Sequence, residues 1–327
     1  MAPAPAAASI DSSMPTLEKT RVYRTILVGC DGSTHEADAI ALAQQLRDPK
    51  HGRIILANVF PCFRGLSEPA MALGYLDWLG EQADIVVERA EAHVTYGVPC
   101  ERQTIASPSA AAGLNDLAET VNADLIVLGR SHQRRVGELA GRMTVQRLLH
   151  GAPCAVAVAA PGQTVRFAVS PSLCVAYDAS PESDFALEVA YGIAGELSAS
   201  VLLCSVLDPT VFASGFAGGT EIGFDTARQD AARAALEDAA GRAPAGVAVE
   251  QRLVLSTPVH TALAEAAAGA DLLVAGSRGF GALRRAIAGS TSSGLLRNGE
   301  IPVLVTPRTT MQHVSLPGAA ITAATDR

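Results

Sequence analysis

Three segments of the chain recur at one spacing. Asp31 returns as Asp178, Ile54-Ile-Leu-Ala-Asn-Val59 as Val201-Leu-Leu-Cys-Ser-Val206, and Ala123-Asp-Leu-Ile-Val-Leu-Gly129 as Ala270-Asp-Leu-Leu-Val-Ala-Gly276, each 147 positions later. Coincidence does not hold one register across three segments, so the chain reads as two copies of one domain. Thr25–Cys30, Ile54–Val59, Cys100–Ile105, Leu125–Leu128 and Cys154–Ala159 read as strands of the first copy. Most are apolar throughout, as parallel strands buried on both faces are. Helical stretches alternate with them: one opened by a Ser33/Glu36 capping box and running to Leu46, one from about Leu76 to Tyr96 closed by Gly97, and one over Ser109–Val121.

The second copy repeats the plan. Leu173–Tyr177 is its first strand, and Ser180 caps a helix with Pro181 at the first position. Val201–Val206 follows, then a glycine-bearing loop from Asp208 to Phe224. Asp225 is the expected cap of a helix ending at Gly241. The third strand falls within Val247–Leu255, a helix within Pro258–Ala268, and the last strands at Leu272–Ala275 and Ile301–Thr306. Strands alternating with helices give βαβ units, right-handed crossovers and a parallel sheet. Turn formers at Pro161-Gly162-Gln163 mark the boundary. The expected organisation is a mobile tail over 1–20, domains over 21–160 and 172–307, a linker over 161–171, and a second mobile tail over 308–327.

A net charge of −8 argues against nucleic acid as the main partner. The N-terminus lacks a basic segment followed by a long apolar run, and no stretch of about 18 apolar residues occurs, so neither signal peptide nor membrane span is expected. The six cysteines form no C-x-x-C pair and no zinc-type cluster with histidine, which fits a reducing cytoplasm and no metal site.

One stretch carries chemistry. Leu272–Ala275 ends in Gly276-Ser-Arg278-Gly279, and after nine intervening residues come Gly289-Ser290-Thr291-Ser292, opening a helix through Leu295 and Leu296. Glycines allow backbone to approach a ligand closely, and free N–H groups at a helix start favour an anion such as a phosphate chain. This Gly-x2-Gly-x9-Gly-Ser spacing resembles the nucleotide signature of the universal stress protein family, over roughly 22–160 and 172–307. The resemblance implies α/β architecture: two Rossmann-like domains of the adenine nucleotide alpha hydrolase type, each a five-stranded parallel sheet of order 3-2-1-4-5 flanked by helices. In the family's ATP-binding branch this loop holds ATP. Only the second copy keeps the full signature. In the first, Gly129 remains, but His132 stands for Gly279, Arg142 for Gly289 and Met143 for Ser290.

Asp178 ends the second copy's first strand, at the edge facing the crevice of an open parallel sheet. Its carboxylate is either a ribose contact, as the resemblance implies, or a helix cap without a ligand. Val206 ends the next strand, where family members set backbone atoms against adenine. The ligand set so implied is Asp178, Val206, Gly276, Arg278, Gly279, Gly289, Ser290, Thr291 and Ser292, with ATP as ligand and magnesium left open. Arg284 and Arg285 either screen phosphate charge or form a solvated turn. No P-loop, no Gly-x-Ser-x-Gly elbow and no dedicated catalytic base is found. The expectation is an ATP-binding regulator with protein partners or self-association. The alternatives are a nucleotide-independent scaffold, or an adenylate-chemistry enzyme, which lacks its Ser-Gly-Gly-type loop here. The two fifth strands, apolar and sticky if bare, are expected to pair in a pseudo-two-fold.

Overall fold

The computed structural model describes residues 23–62, 69–130, 138–162, 170–209, 221–277 and 301–307. The first copy holds β1 (Thr25–Gly29), α1 (Glu36–Leu46), β2 (Arg53–Pro61), α2 (Pro69–Glu91), β3 (Cys100–Ser107), α3 (Ala110–Val121), β4 (Leu125–Leu128), α4 (Glu138–Gly151) and β5 (Ala155–Val158). The second holds β6 (Ser172–Ala176), α5 (Pro181–Leu197), β7 (Ser200–Leu207), α6 (Glu221–Gly241), β8 (Val249–Leu255), α7 (Val259–Ala266), β9 (Leu272–Gly276) and β10 (Val303–Thr306).

All ten strands form one sheet of order β3-β2-β1-β4-β5-β10-β9-β6-β7-β8. Each half is parallel and runs 3-2-1-4-5, as the resemblance implies. The halves meet antiparallel, with Val303 opposite Val158, Leu304 opposite Ala157 and Val305 opposite Val156. Ala157 and Leu304 are equivalent positions at the repeat spacing, so the pseudo-two-fold axis passes through that pair. The expected pairing of the fifth strands is therefore present.

Alternate residues of each inner strand feed two cores. Ile26 and Val28 belong to the core under α1, α2, α5 and α6. Leu27 and Ile55 belong to the one under α3, α4 and α7. Both cores run across both copies, which is why the inner strands are apolar without interruption. The outer edges differ. Glu101-Arg-Gln103 of β3 and Glu250-Gln-Arg252 of β8 are exposed, and charged side chains protect a bare edge from pairing with other chains.

Several element limits depart from expectation. The helix before β3 begins at Pro69 and ends at Glu91, earlier at both ends than the expected Leu76 to Tyr96. Asp225 lies inside α6 rather than capping it, because the helix starts at Glu221. The Ser33/Glu36 box is shifted by one residue. The Gly32 amide donates to Glu36 Oε2 at 3.0 Å and the His35 amide to Ser33 Oγ at 3.3 Å, with His35 as N-cap. Ser180 and Ser109 do cap their helices, accepting from the amides of Ser183 and Ala112. The repeat spacing also changes within each copy. Ile105 of β3 matches Val254 of β8, two residues beyond the 147 offset, and a shorter α7 restores the register before β9.

Candidate functional site

The C-terminal edge of β6, β7 and β9 brings Asp178, Val206 and Gly276 to one side of the second half. Asp178 follows β6 and is exposed. Its Oδ1 accepts from the Ser180 amide at 3.1 Å and from the Ser180 hydroxyl, and its own amide donates to Ser183 Oγ at 3.3 Å. The carboxylate therefore organises the first turn of α5, the capping role weighed above, while standing exposed just past the C-terminal end of β6.

Val206 is half-buried against the α7 side of the sheet. Its peptide groups matter more than its side chain. The Tyr177 amide donates to Cys204 O at 2.9 Å. A strand turns every second residue to the same neighbour. Val206 thus directs its N–H and C=O towards the β6 side, beyond the last paired residue there, Ala176.

Gly276 is the last residue of β9, and its smallness has a packing cause. A Cβ there would lie 2.5 Å from the Glu182 carbonyl oxygen in the first turn of α5. The equivalent Gly129 meets the carbonyl of His35 in the same way. Both glycines let a helix start sit directly on the fourth strand of its half. Beyond Gly276, Ser277 is 5% exposed and Thr306 fully buried. The Ser277 amide donates to Thr306 O, but both hydroxyls lack a hydrogen-bond partner among the described residues. Arg278, Gly279, Gly289, Ser290, Thr291 and Ser292 lie outside the described residues, as do Arg284 and Arg285.

Two features escaped the sequence. Tyr177 donates to Asp184 Oδ1 at 2.9 Å, and Arg242 reaches both groups, at 2.9 and 2.7 Å. Burial first, then the Asp184 carboxylate, push the Tyr177 phenol up to about 12. This network ties the end of β6 to α5 and α6 and fixes the backbone leading into Asp178. Its members sit 58 residues apart at the widest described bond to Asp184, so no local signal announces it. The second feature is Arg130, which stands where the second copy has Ser277. It is 6% exposed, donates weakly to Ile301 O at 3.4 Å across the junction, and leaves Nε and Nη1 without partners among the described residues. Desolvation pushes its guanidinium down to about 10. The two copies therefore differ at this edge: a small hydroxyl in the second, a buried cation in the first.

At this edge the second half offers an exposed carboxylate that can accept from hydroxyls and strand-end peptide groups that can meet a planar hydrogen-bonding edge, while the Ser277 and Thr306 hydroxyls are buried. Among the described residues no three His, Cys, Asp or Glu side chains are grouped to hold a metal ion. All six cysteines are free, and burial pushes the thiols of Cys30 and Cys174 far up. No helix of the described residues is long and apolar enough to cross a membrane.

Comparison with known proteins matches the model of the universal stress protein family twice, over residues 22–160 and 171–307. A curated relative from Thermus aquaticus, described as a universal stress protein in a QAH/OAS sulfhydrylase 3′ region, is 32% identical over 136 residues, which is 41% of this chain and 97% of the relative. A universal stress protein structure from Archaeoglobus fulgidus is 21% identical, covering 87% of this chain and 98% of its own, with a TM-score of 0.62. A putative universal stress protein structure from Pseudomonas aeruginosa is 18% identical over 88% of this chain and 94% of its own, with a TM-score of 0.56. At these identities the two structures establish likeness of fold.

Proposed function

Because the chain belongs to the universal stress protein family and carries its domain twice, we propose that it is a nucleotide-dependent regulator that binds one ATP in its second half. The observation that carries this reading is the intact Gly276-x2-Gly279-x9-Gly289-Ser290 spacing leaving the same sheet edge as Asp178 and the Val206 peptide. Asp178 then holds the ribose, Val206 the adenine through its backbone, and Gly276, Arg278, Gly279, Gly289, Ser290, Thr291 and Ser292 form the phosphate loop. The first half, over 21–160, lacks this loop. His132, Arg142 and Met143 add side chains where a phosphate nest needs bare backbone, so it has no equivalent site. Tails over 1–20 and 308–327, which lie outside the described residues, and a linker over 161–171 complete the proposed organisation.

Calorimetric titration with ATP tests this. The expected stoichiometry is near one per chain. Asp178→Ala should cost about 1.5–3 kcal/mol, the worth of a hydrogen bond to a charged group, or about ten- to a hundred-fold in affinity. Gly289→Arg should remove most binding. Repeating the titration with EDTA shows whether magnesium accompanies the triphosphate. Two equivalent sites, or full affinity in folded Gly289→Arg protein, overturns the assignment. Absence of any nucleotide binding leaves the scaffold reading.

A further inference from the structure

Helix α2 presents three faces. Ala83, Val87 and Ala90 are buried against the sheet. Tyr75, Trp78 and Ile85 form an adjacent stripe at helical spacing, and they are 52%, 50% and 39% exposed. The two rings stack at 5.9 Å between centroids and 21° between planes, so they form one rigid apolar platform. Beside it runs an acidic ridge, Asp77, Glu81, Asp84 and Glu88, all exposed and spaced by three or four residues. Asp84 accepts from the Thr104 hydroxyl, but Asp77, Glu81 and Glu88 make no ion pair among the described residues. The helix carries five acids, counting Glu91, against one arginine, Arg89.

The tryptophan belongs to the first half alone, although Phe224 stands where Tyr75 does. When α6 is aligned with α2 on their buried residues (Leu236 on Val87, Ala239 on Ala90), Ala227 and Ala234 occupy the places of Trp78 and Ile85. Arg233 stands where Asp84 does. The two helices hold the same position on the sheet, so the fold does not require the exposed indole. The chain has a single tryptophan, and it is spent on the surface.

We propose that this face of α2 is a docking surface for a basic amphipathic segment of another protein. Charge decides the occupant. An apolar anchor seated on the Tyr75–Trp78 platform places flanking lysines or arginines over Asp77, Glu81 and Glu88, and a cation also gains from the faces of the rings. An acidic segment would meet like charge along the whole ridge. The inference does not depend on the nucleotide reading, and its test is run without nucleotide.

The probe is a synthetic Leu/Lys amphipathic helical peptide of about 18 residues, five turns, with a Leu/Glu peptide of the same pattern as its counterpart. Trp78, as the single indole, reports binding by its emission. The Leu/Lys peptide should shift that emission saturably, and the Leu/Glu peptide should not. Tyr75→Ser with Ile85→Ser, and separately Glu81→Lys with Glu88→Lys, should each weaken binding about tenfold or more. Asp230→Lys with Glu237→Lys on α6 should leave it within about twofold. An unshifted emission, equal binding of the acidic peptide, or equal loss in the α6 variant overturns the proposal. So does an emission that shifts with protein concentration alone while sedimentation shows a dimer, since the occupant is then a second copy.

Discussion

Ala179 holds a φ of 59°, a left-handed conformation that a Cβ disfavours by about 1–2 kcal/mol. Its counterpart in the first half is Gly32, with a φ of 77°. The turn is dictated by what surrounds it: Asp178 and Asp31 each fold their carboxylates back onto amides two residues on, those of Ser180 and Ser33. The left-handed residue lies inside that loop. Ala179→Gly should therefore stabilise the protein by about 0.5–1 kcal/mol, the strain relieved less the extra freedom of the unfolded chain. Urea denaturation checks this, and Gly32→Ala should show the opposite sign. The position of Asp178 was legible in the sequence because it ends an apolar strand, whereas its bond to the Ser180 amide was not, since the same three residues fit several turns. Gly276 was legible as a required glycine, but the described contact that requires it is the Glu182 carbonyl, brought there by a helix crossing that no local pattern encodes.

Between elements, the two halves solve one packing problem in different ways. A Cβ on Gly29 of β1 would come 2.5 Å from Leu128 Cδ2 on β4. The matching positions in the second half are Ala176 on β6 and Ala275 on β9, so volume has moved from one strand to its neighbour. Gly29→Ala alone should cost about 1–3 kcal/mol through overpacking. Leu128→Ala alone should cost about 2–5 kcal/mol through the cavity left. The double variant recreates the pair found in the second half. It should cost less than the sum of the two by about 0.5–3 kcal/mol, as residues in contact do. Strict additivity in a double-mutant cycle would show that the two positions do not sense each other. The inner strands were legible because burial on both faces leaves no polar residue to interrupt them. The limits of α2 and α6 were not. Pro69 reads equally as a loop residue or a helix start, and Asp225 reads equally as a cap or as a residue one turn into a helix already begun.

At the scale of the whole molecule, the junction of β5 and β10 decides whether two domains behave as one. Apart, each half would leave an apolar edge strand bare. Together, Ala157 and Leu304, both fully buried, sit opposite each other on the pseudo-two-fold. Leu304 also lies beside Val274 of β9 and belongs to a core that includes Ile26 and Leu42 of the first half as well as Val175 and Leu187 of the second. A core shared in this way transmits a loss in one half to the other. Leu304→Ala should cost about 2–5 kcal/mol, and the cost should register in the half that was not mutated. Trp78 makes this measurable, because the only indole of the chain belongs to the first half. In urea, the Trp78 emission transition and the far-ultraviolet dichroism transition should coincide in the parent and move together in the variant, as a single cooperative unit requires. If the dichroism transition splits and the Trp78 transition stays where it was, the junction is a contact between independent domains. Coincident movement means that the ten strands fold as one sheet, and that the second half stabilises the surface on which α2 presents its aromatic face.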